Sequence, residues 1–156
     1  VQTCALPILK PGTTGTLRLL RTESDILPVD RETLFELSIA SVPSGKVENQ
    51  SVKVAMRSVF KLFWRPEGLP GDPLEAYQQL RWTRNSQGVQ LTNPTPYYIN
   101  LIQVSVNGKA LSNVGVVPPK SQRQTSWCQA IAPCHVAWRA INDYGGLSAK
   151  KEQNLP

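Results

Sequence analysis

The chain has a single histidine, His135, and this scarcity limits the chemistry that its side chains can perform. A Ser-His-Asp triad needs a nucleophile and an orienting carboxylate around its histidine, and the sequence contains no G-x-S-x-G segment. A zinc site made from Cys128, Cys134 and His135 would match no common ligand spacing. Phosphate loops and dinucleotide fingerprints are also missing from the sequence. We therefore expect no enzyme activity, metal ion, cofactor or small-molecule substrate.

Long hydrophobic runs and concentrated charge are missing as well. No apolar run approaches the ~20 residues of a membrane helix. The net charge of +6 is diffuse, because residues 1–66 carry nine Lys and Arg against six Asp and Glu, and residues 67–156 carry eight against five. A nucleic-acid-binding protein usually concentrates its charge on one element, so we expect no nucleic-acid partner. The hydrophobic content of 40% favours a folded chain over a disordered one.

The first eight residues, VQTCALPI, lack the charged and apolar regions of a signal peptide. They read instead as the translation of a common sequencing-adapter oligonucleotide. We interpret residues 1–8 as an assembly scar and expect the gene to continue upstream with a signal peptide, which resequencing of the locus tests. On this interpretation Cys4 is not biological, and the remaining cysteines are Cys128 and Cys134.

The residues that are present favour β-strands in two units. Candidate strands lie at 14–22, 33–42 and 51–65, and the short loop between the last two indicates an antiparallel hairpin. A segment rich in proline and glycine follows this hairpin, which is typical of a domain boundary. We divide the chain into a first domain at 9–66, a linker at 67–73, a second domain at 74–149 and a polar tail at 150–156.

Short β signals fill the second domain. Asp72 and Pro73 have the positions of an N-cap and first residue of a short helix. The Asn107-Gly108 pair is a typical hairpin turn. Strands at this spacing, with one short helix, predict antiparallel all-β sandwiches. The strand candidates are 82–84, 88–92, 97–106, 123–128 and 134–141.

Cys128 and Cys134 flank the short segment QAIAP between two strand candidates. Cysteines at the base of a short hairpin can meet the geometry of a disulfide, and an oxidising compartment would favour the bridge. Two buried thiols remain the alternative at this point.

The segment 51–66 carries the most informative pattern in the chain. Val52, Val54 and Met56 alternate with polar or small residues, after which the strand becomes apolar on both faces around Lys61. By pattern alone, the three apolar residues would fill the protein's own core. Lys61 would bury its stem and extend its ammonium group to water.

Five short segments, in order along the chain, carry a resemblance to a known family: DRETLF at 30–35, KLFWRP at 61–66, NPTPYY at 93–98, PPKS at 118–121 and INDYGG at 141–146. They resemble motifs of the PapD-like periplasmic pilus chaperones of the chaperone–usher pathway. The resemblance covers about residues 9–146. It implies two immunoglobulin-like β-sandwich domains in an L-shape. The N-terminal domain would be incomplete, because the family's signal peptide, first strands and cleft arginine have no counterpart in this sequence.

The resemblance also assigns roles to particular residues. It implies that strand 51–65 pairs with a pilus subunit whose own fold lacks its last strand, in the manner of strand addition. Three sets of residues match family positions: Val52, Val54 and Met56 for the subunit groove, Lys61 for the subunit's C-terminal carboxylate, and Glu32, Arg65 and Asp143 for an ionic network between the domains.

The function implied is that of a chaperone in the periplasm of a Gram-negative bacterium. It would bind pilins and tip adhesins and deliver them to the outer-membrane usher. The short loop at 41–50 resembles that of family members that assemble rod-like pili with adhesive tips. A structural immunoglobulin-like pilus subunit or adhesin domain is the alternative, and a secreted hydrolase on a sandwich scaffold comes last.

Overall fold

A computed structural model of the chain describes residues 8–10, 12–20, 26–43, 52–112, 114–129 and 133–156. These residues form ten β-strands and one 3₁₀ turn, so the predicted all-β class is confirmed. No helix among these described residues is long and apolar enough to cross a membrane. The strands are β1 (Thr33–Ser41), β2 (Met56–Trp64), β3 (Arg81–Asn85), β4 (Gly88–Asn93), β5 (Ile99–Val106), β6 (Lys109–Leu111), β7 (Gly115–Val117), β8 (Ser121–Thr125), β9 (Cys134–Ile141) and β10 (Lys151–Leu155).

The first domain contributes a two-stranded antiparallel ribbon of β1 and β2. The register runs from Thr33 opposite Trp64 to Ser41 opposite Met56. Because side chains alternate across a strand, each face of the ribbon takes every second residue of both strands. One face is apolar over most of its length, and the other carries the charged residues. The apolar face consists of Phe35, Leu37, Ile39, Phe60, Leu62 and Trp64, several of which are exposed.

The second domain is a sandwich of two antiparallel sheets. One sheet has the order β3-β4-β8, and the other has the order β10-β9-β5-β6, with β7 also pairing with β5. Buried side chains from both sheets form one hydrophobic core, in which Trp82 packs against Trp127 and Trp138 with ring centroids 6.1 and 5.3 Å apart. The turn between β5 and β6 has positive φ angles at Asn107 and Gly108, as the predicted Asn-Gly hairpin turn requires.

Several predicted elements differ from the structure. Residues 14–20 form no strand, because nothing in the described chain pairs with them. Strand β2 begins at Met56 instead of residue 51, since its partner β1 already ends at Ser41. The predicted helix is a single 3₁₀ turn, Ala76–Gln79, because β3 begins two residues later. Asp72 accepts a hydrogen bond from the Leu74 amide at 2.8 Å and does not cap that turn.

The prediction of a polar tail at 150–156 is wrong, and this difference has the widest consequence for the fold. Residues Lys151–Leu155 form β10, which pairs with β9 and places Leu155 in the core with 2% of its surface exposed. The second domain therefore does contain a final strand. The adapter-like segment, apart from Ile8, and residues 44–50 of the short loop lie outside the described residues.

Cys128 and Cys134 form a disulfide, as one of the two sequence-based alternatives proposed. Both cysteines are buried, so the bridge fastens the start of β9 to the loop that precedes it.

Replacing both cysteines by serine is expected to lower the free energy of unfolding by about 2 kcal/mol, because a bridge that closes a short loop removes modest entropy from the unfolded chain. Urea unfolding of the double variant and of the wild type checks this value. The wild type treated with dithiothreitol should unfold at a lower urea concentration, whereas the variant should not respond. An unchanged wild-type midpoint under reduction would contradict the prediction.

Candidate functional site

The outer edge of β2 is the first part of the candidate site. Within the described chain, β2 has one hydrogen-bonded neighbouring strand, β1, so no strand lies along its other edge. Val59 and Phe60 are about half exposed on this strand. An exposed apolar edge of this length invites pairing with another strand.

The three apolar residues that the resemblance assigns to the subunit groove lie at, or just before, the start of β2. Met56 opens β2, and Val52 and Val54 precede it outside any strand. Their exposed fractions are 90% for Val52, 65% for Val54 and 67% for Met56. The alternative that they fill the protein's own core is therefore wrong for this structure.

Lys61 lies in the middle of β2 on the charged face of the ribbon. Its neighbours along that face of the strand are Val59 and Phe63, and Glu36 of β1 stands directly opposite. The side chain is exposed. Among the described residues, no ion pair includes Lys61. Its ammonium group is thus accessible to an incoming anion.

Glu32 forms the centre of the second part of the site, where the ribbon meets the sandwich. The residue is 3% exposed. Its Oε1 accepts a hydrogen bond from Arg65 Nε at 2.6 Å, and its Oε2 accepts one from the Tyr98 amide at 2.6 Å. Its own amide donates to the Pro96 carbonyl at 2.9 Å. One acidic residue therefore joins the beginning of β1, the end of β2 and the loop before β5.

Arg65 extends this arrangement to the turn that follows β9. Its Nη1 donates to Asp143 Oδ2 at 2.7 Å, and its guanidinium carbon lies 5.3 Å from the centre of the Tyr97 ring. The hydrogen bonds to Asp143 and to Glu32 raise the pKa of Arg65 above its ordinary value, although burial acts in the opposite direction. We call Glu32, Arg65, Tyr97, Tyr98 and Asp143 the junction.

Two local motifs hold the sandwich side of the junction in place. The side chain of Asn93, fully buried, donates to the carbonyls of Tyr97 at 2.8 Å and Pro118 at 2.9 Å and accepts from the Thr95 amide at 3.0 Å. The Asn142 side chain accepts from the amides of Tyr144 and Gly146, which closes the turn that carries Asp143. Both motifs are built from Asn side chains that bond to nearby backbone, as such turns favour.

A second ion pair also links the two domains. Lys120 Nζ lies 2.6 Å from Asp30 Oδ2, and Arg31 contacts the same carboxylate at 2.9 Å. The hydrogen bonds from Arg31 and Lys120 hold the pKa of the Asp30 carboxyl well below its usual range. This pair was not predicted from the sequence. Asp30 lies in the DRETLF segment and Lys120 in the PPKS segment. Their opposite charges are the sequence signal that could have identified the pair.

The structure thus brings Glu32, Arg65 and Asp143 together, and it places Lys61 and Met56 elsewhere, in the ribbon, with Val52 and Val54 in the segment before it. Phe63 connects the two parts, because it follows Lys61 by two residues and its ring packs on Tyr98 at 5.4 Å. Within the described ranges, no cluster of three or more His, Cys, Asp or Glu side chains could hold a metal ion. The exposed groups suit binding of a peptide strand with an anionic group.

Comparison with known proteins gives two family matches. Residues 1–70 match "Pili and flagellar-assembly chaperone, PapD N-terminal domain", and residues 75–152 match "Pili assembly chaperone PapD, C-terminal domain". The fimbrial chaperone YcbF of Escherichia coli strain K12 is 99% identical over 151 residues, which are 97% of this chain and 64% of YcbF. The probable fimbrial chaperone ElfD of the same strain is 39% identical over 147 residues, which are 93% of this chain and 62% of ElfD.

Solved structures agree with these matches. The structure of the Salmonella enterica SafA pilin in complex with the SafB chaperone matches with a TM-score of 0.71 and 30% sequence identity. The match covers 83% of this chain and 62% of the other. This chain therefore spans slightly less than two thirds of the length of these relatives.

Proposed function

Because the chain belongs to the PapD family of pili assembly chaperones, we propose that it binds pilus subunits in the periplasm of a Gram-negative bacterium. It keeps these subunits from aggregating and delivers them to the outer-membrane usher. The proposal gives the chain no catalytic residue and no cofactor.

The observation that carries this proposal is the edge of β2 along which no strand of the described chain lies. A subunit that lacks a strand can hydrogen-bond to this edge, with main-chain bonds supplying affinity and alternate side chains supplying specificity. Val52, Val54 and Met56 are already exposed and can enter an apolar groove without first leaving a core. The same edge would be an aggregation hazard in a protein that had no strand partner.

Lys61 gives the paired strand its register. A subunit's C-terminal carboxylate can form a charge-assisted hydrogen bond with the Lys61 ammonium group, and such bonds are about twice as strong as neutral ones. A slip of one residue would turn every side chain of the paired strand to the opposite face. One fixed contact between Lys61 and the C-terminal end of the subunit therefore selects the correct pairing.

The junction has a separate role in this proposal. Glu32 and Arg65 flank the ribbon at its two chain ends, and Asp143 belongs to the sandwich. Their ion pairs fix the direction in which the ribbon leaves the second domain. The subunit-binding edge is thereby held at a defined angle.

Replacing Lys61 by alanine is expected to weaken subunit binding about tenfold, since a hydrogen bond to a charged group contributes about 1.5–3 kcal/mol. The probe is a peptide with the last residues of a pilin, prepared with a free carboxylate and with a carboxamide. Fluorescence anisotropy should show that the wild type prefers the carboxylate and that Lys61→Ala does not.

Lys109→Ala, which removes an exposed lysine from the second domain, is the matched control and should bind like the wild type. If the wild type binds neither peptide nor the intact pilin, the proposed function is wrong. If Lys61→Ala keeps the preference for the carboxylate, the assignment of Lys61 is wrong.

A structural pilus subunit or adhesin domain was the alternative function. The family matches and relatives name chaperones, and the pilin in the matched complex is the partner of the chaperone. We therefore do not propose the alternative.

A further inference from the structure

Glu36 stands directly opposite Lys61 in the register of the ribbon. Directly opposed residues have Cβ atoms about 4.5–5.5 Å apart and point to the same face. Both side chains are exposed. A carboxylate that approaches the Lys61 ammonium group on this face therefore also approaches the Glu36 carboxylate.

No other acidic side chain of β1 or β2 shares this face. The remaining polar members of the face are Ser38 and Arg57, and the Arg57 guanidinium donates to the Ser38 hydroxyl at 2.6 Å. The Arg57 guanidinium is thereby held at Ser38, which lies two residues from Glu36 along β1, or about 7 Å. Glu36 directly opposes Lys61 and is its only acidic neighbour on this face of the ribbon.

We propose that Glu36 is a specificity-determining residue that limits the affinity of the Lys61 site for a terminal carboxylate. The proposal rests on the proposed function. Glu36 lowers the affinity for the carboxylate in two ways. It attracts the Lys61 ammonium group in the unbound protein, and it repels the incoming carboxylate in the complex. The bound subunit is consequently held less tightly than Lys61 alone would hold it, which favours its later release.

The size of the effect follows from the exposure of the pair. Charged residues directly opposite each other on a sheet contribute about 0.2–1 kcal/mol, which corresponds to a change in affinity of up to about fivefold. Because both groups are in contact with water, salt weakens the effect. The isosteric substitution Glu36→Gln should thus tighten carboxylate binding about two- to fivefold at low salt.

The test is a double-mutant cycle of Glu36→Gln and Lys61→Ala in the whole 156-residue chain. Affinities are measured for the pilin peptide with a free carboxylate and with a carboxamide, at low and at high salt. Glu67→Gln, an exposed carboxylate in the segment after β2, makes the same charge change away from Lys61 and should leave both affinities unchanged.

We expect Glu36→Gln to strengthen only the carboxylate peptide, more when Lys61 is present than in Lys61→Ala, and less at high salt. A general structural role of Glu36 would change both peptides equally and would contradict the proposal. So would weaker or unchanged carboxylate binding by Glu36→Gln in a chain whose wild type distinguishes the two peptides. A wild type that binds the intact pilin but neither peptide would overturn this inference alone, and one that binds neither the peptides nor the intact pilin would overturn the proposed function as well.

Discussion

Replacing Glu32 by glutamine is expected to lower the free energy of unfolding by about 3 kcal/mol. The carboxylate has two acceptor oxygens, and each faces a donor: Arg65 Nε on one side and the Tyr98 amide on the other. A glutamine amide has only one oxygen. In either orientation its NH₂ group therefore opposes one of these donors, and that donor loses its acceptor beside the buried side chain of residue 32.

Two measurements check the Glu32 prediction. Urea unfolding gives the loss of stability, and amide hydrogen exchange reports on the Tyr98 N–H, which should lose its protection in Glu32→Gln. Glu67→Gln, with the same chemical change on the surface, should alter stability by less than about 0.5 kcal/mol. Retained protection of Tyr98 in the Glu32 variant would show that the junction does not depend on this carboxylate.

Replacing Asn93 by alanine should cost about as much, roughly 3 kcal/mol, through the loss of several buried hydrogen bonds. The substitution removes the Asn93 hydrogen bonds to the carbonyls of Tyr97 and Pro118, which keep the Thr95 and Ser121 hydroxyls as donors, and it leaves the Thr95 amide without its acceptor. Since burial prevents water from replacing these bonds at no cost, each unsatisfied group disfavours the folded state. The loop that presents Tyr98 to Glu32 should loosen with them.

Thermal unfolding of Asn93→Ala and of Asn154→Ala separates this role from a general effect of removing an amide side chain. Asn154 is exposed on β10, so its variant should melt close to the wild type. Asn93→Ala should melt lower and should also show faster exchange at Tyr98. Equal melting temperatures for the two variants would contradict the prediction.

The sequence was most informative where hydrophobic pattern and turn residues agreed. The strand Cys134–Ile141 was predicted with the bounds that the structure has, because its apolar run lies between Pro133 and Asn142. The pairing of the two long strands followed from their length and the short connection. Their register could not be predicted, so the opposition of Glu36 and Lys61 emerged only from the structure.

Elements held by contacts without a hydrophobic signature were missed. Strand β10 has one buried apolar residue, Leu155, and its remaining residues look like a solvated tail. The hydrogen bond between the Glu32 amide and the Pro96 carbonyl involves only backbone atoms, which have no sequence signal. The opposite error occurred at 14–20, where Leu17 and Leu19 alternate as in a strand but have no neighbouring strand to pair with.

The ribbon of β1 and β2 behaves mechanically as a cantilever. Its base is clamped where Glu32 precedes β1 and Arg65 follows β2, and its tip lies at Ser41 and Met56. Nine residues of strand reach about 30 Å, so a tilt of only about 10° at the base would move the tip by about 5 Å, one full spacing between strands. Angular precision at the clamp therefore sets positional precision at the tip, and a lost hydrogen bond near Tyr98 would displace Met56 without any change in Met56 itself.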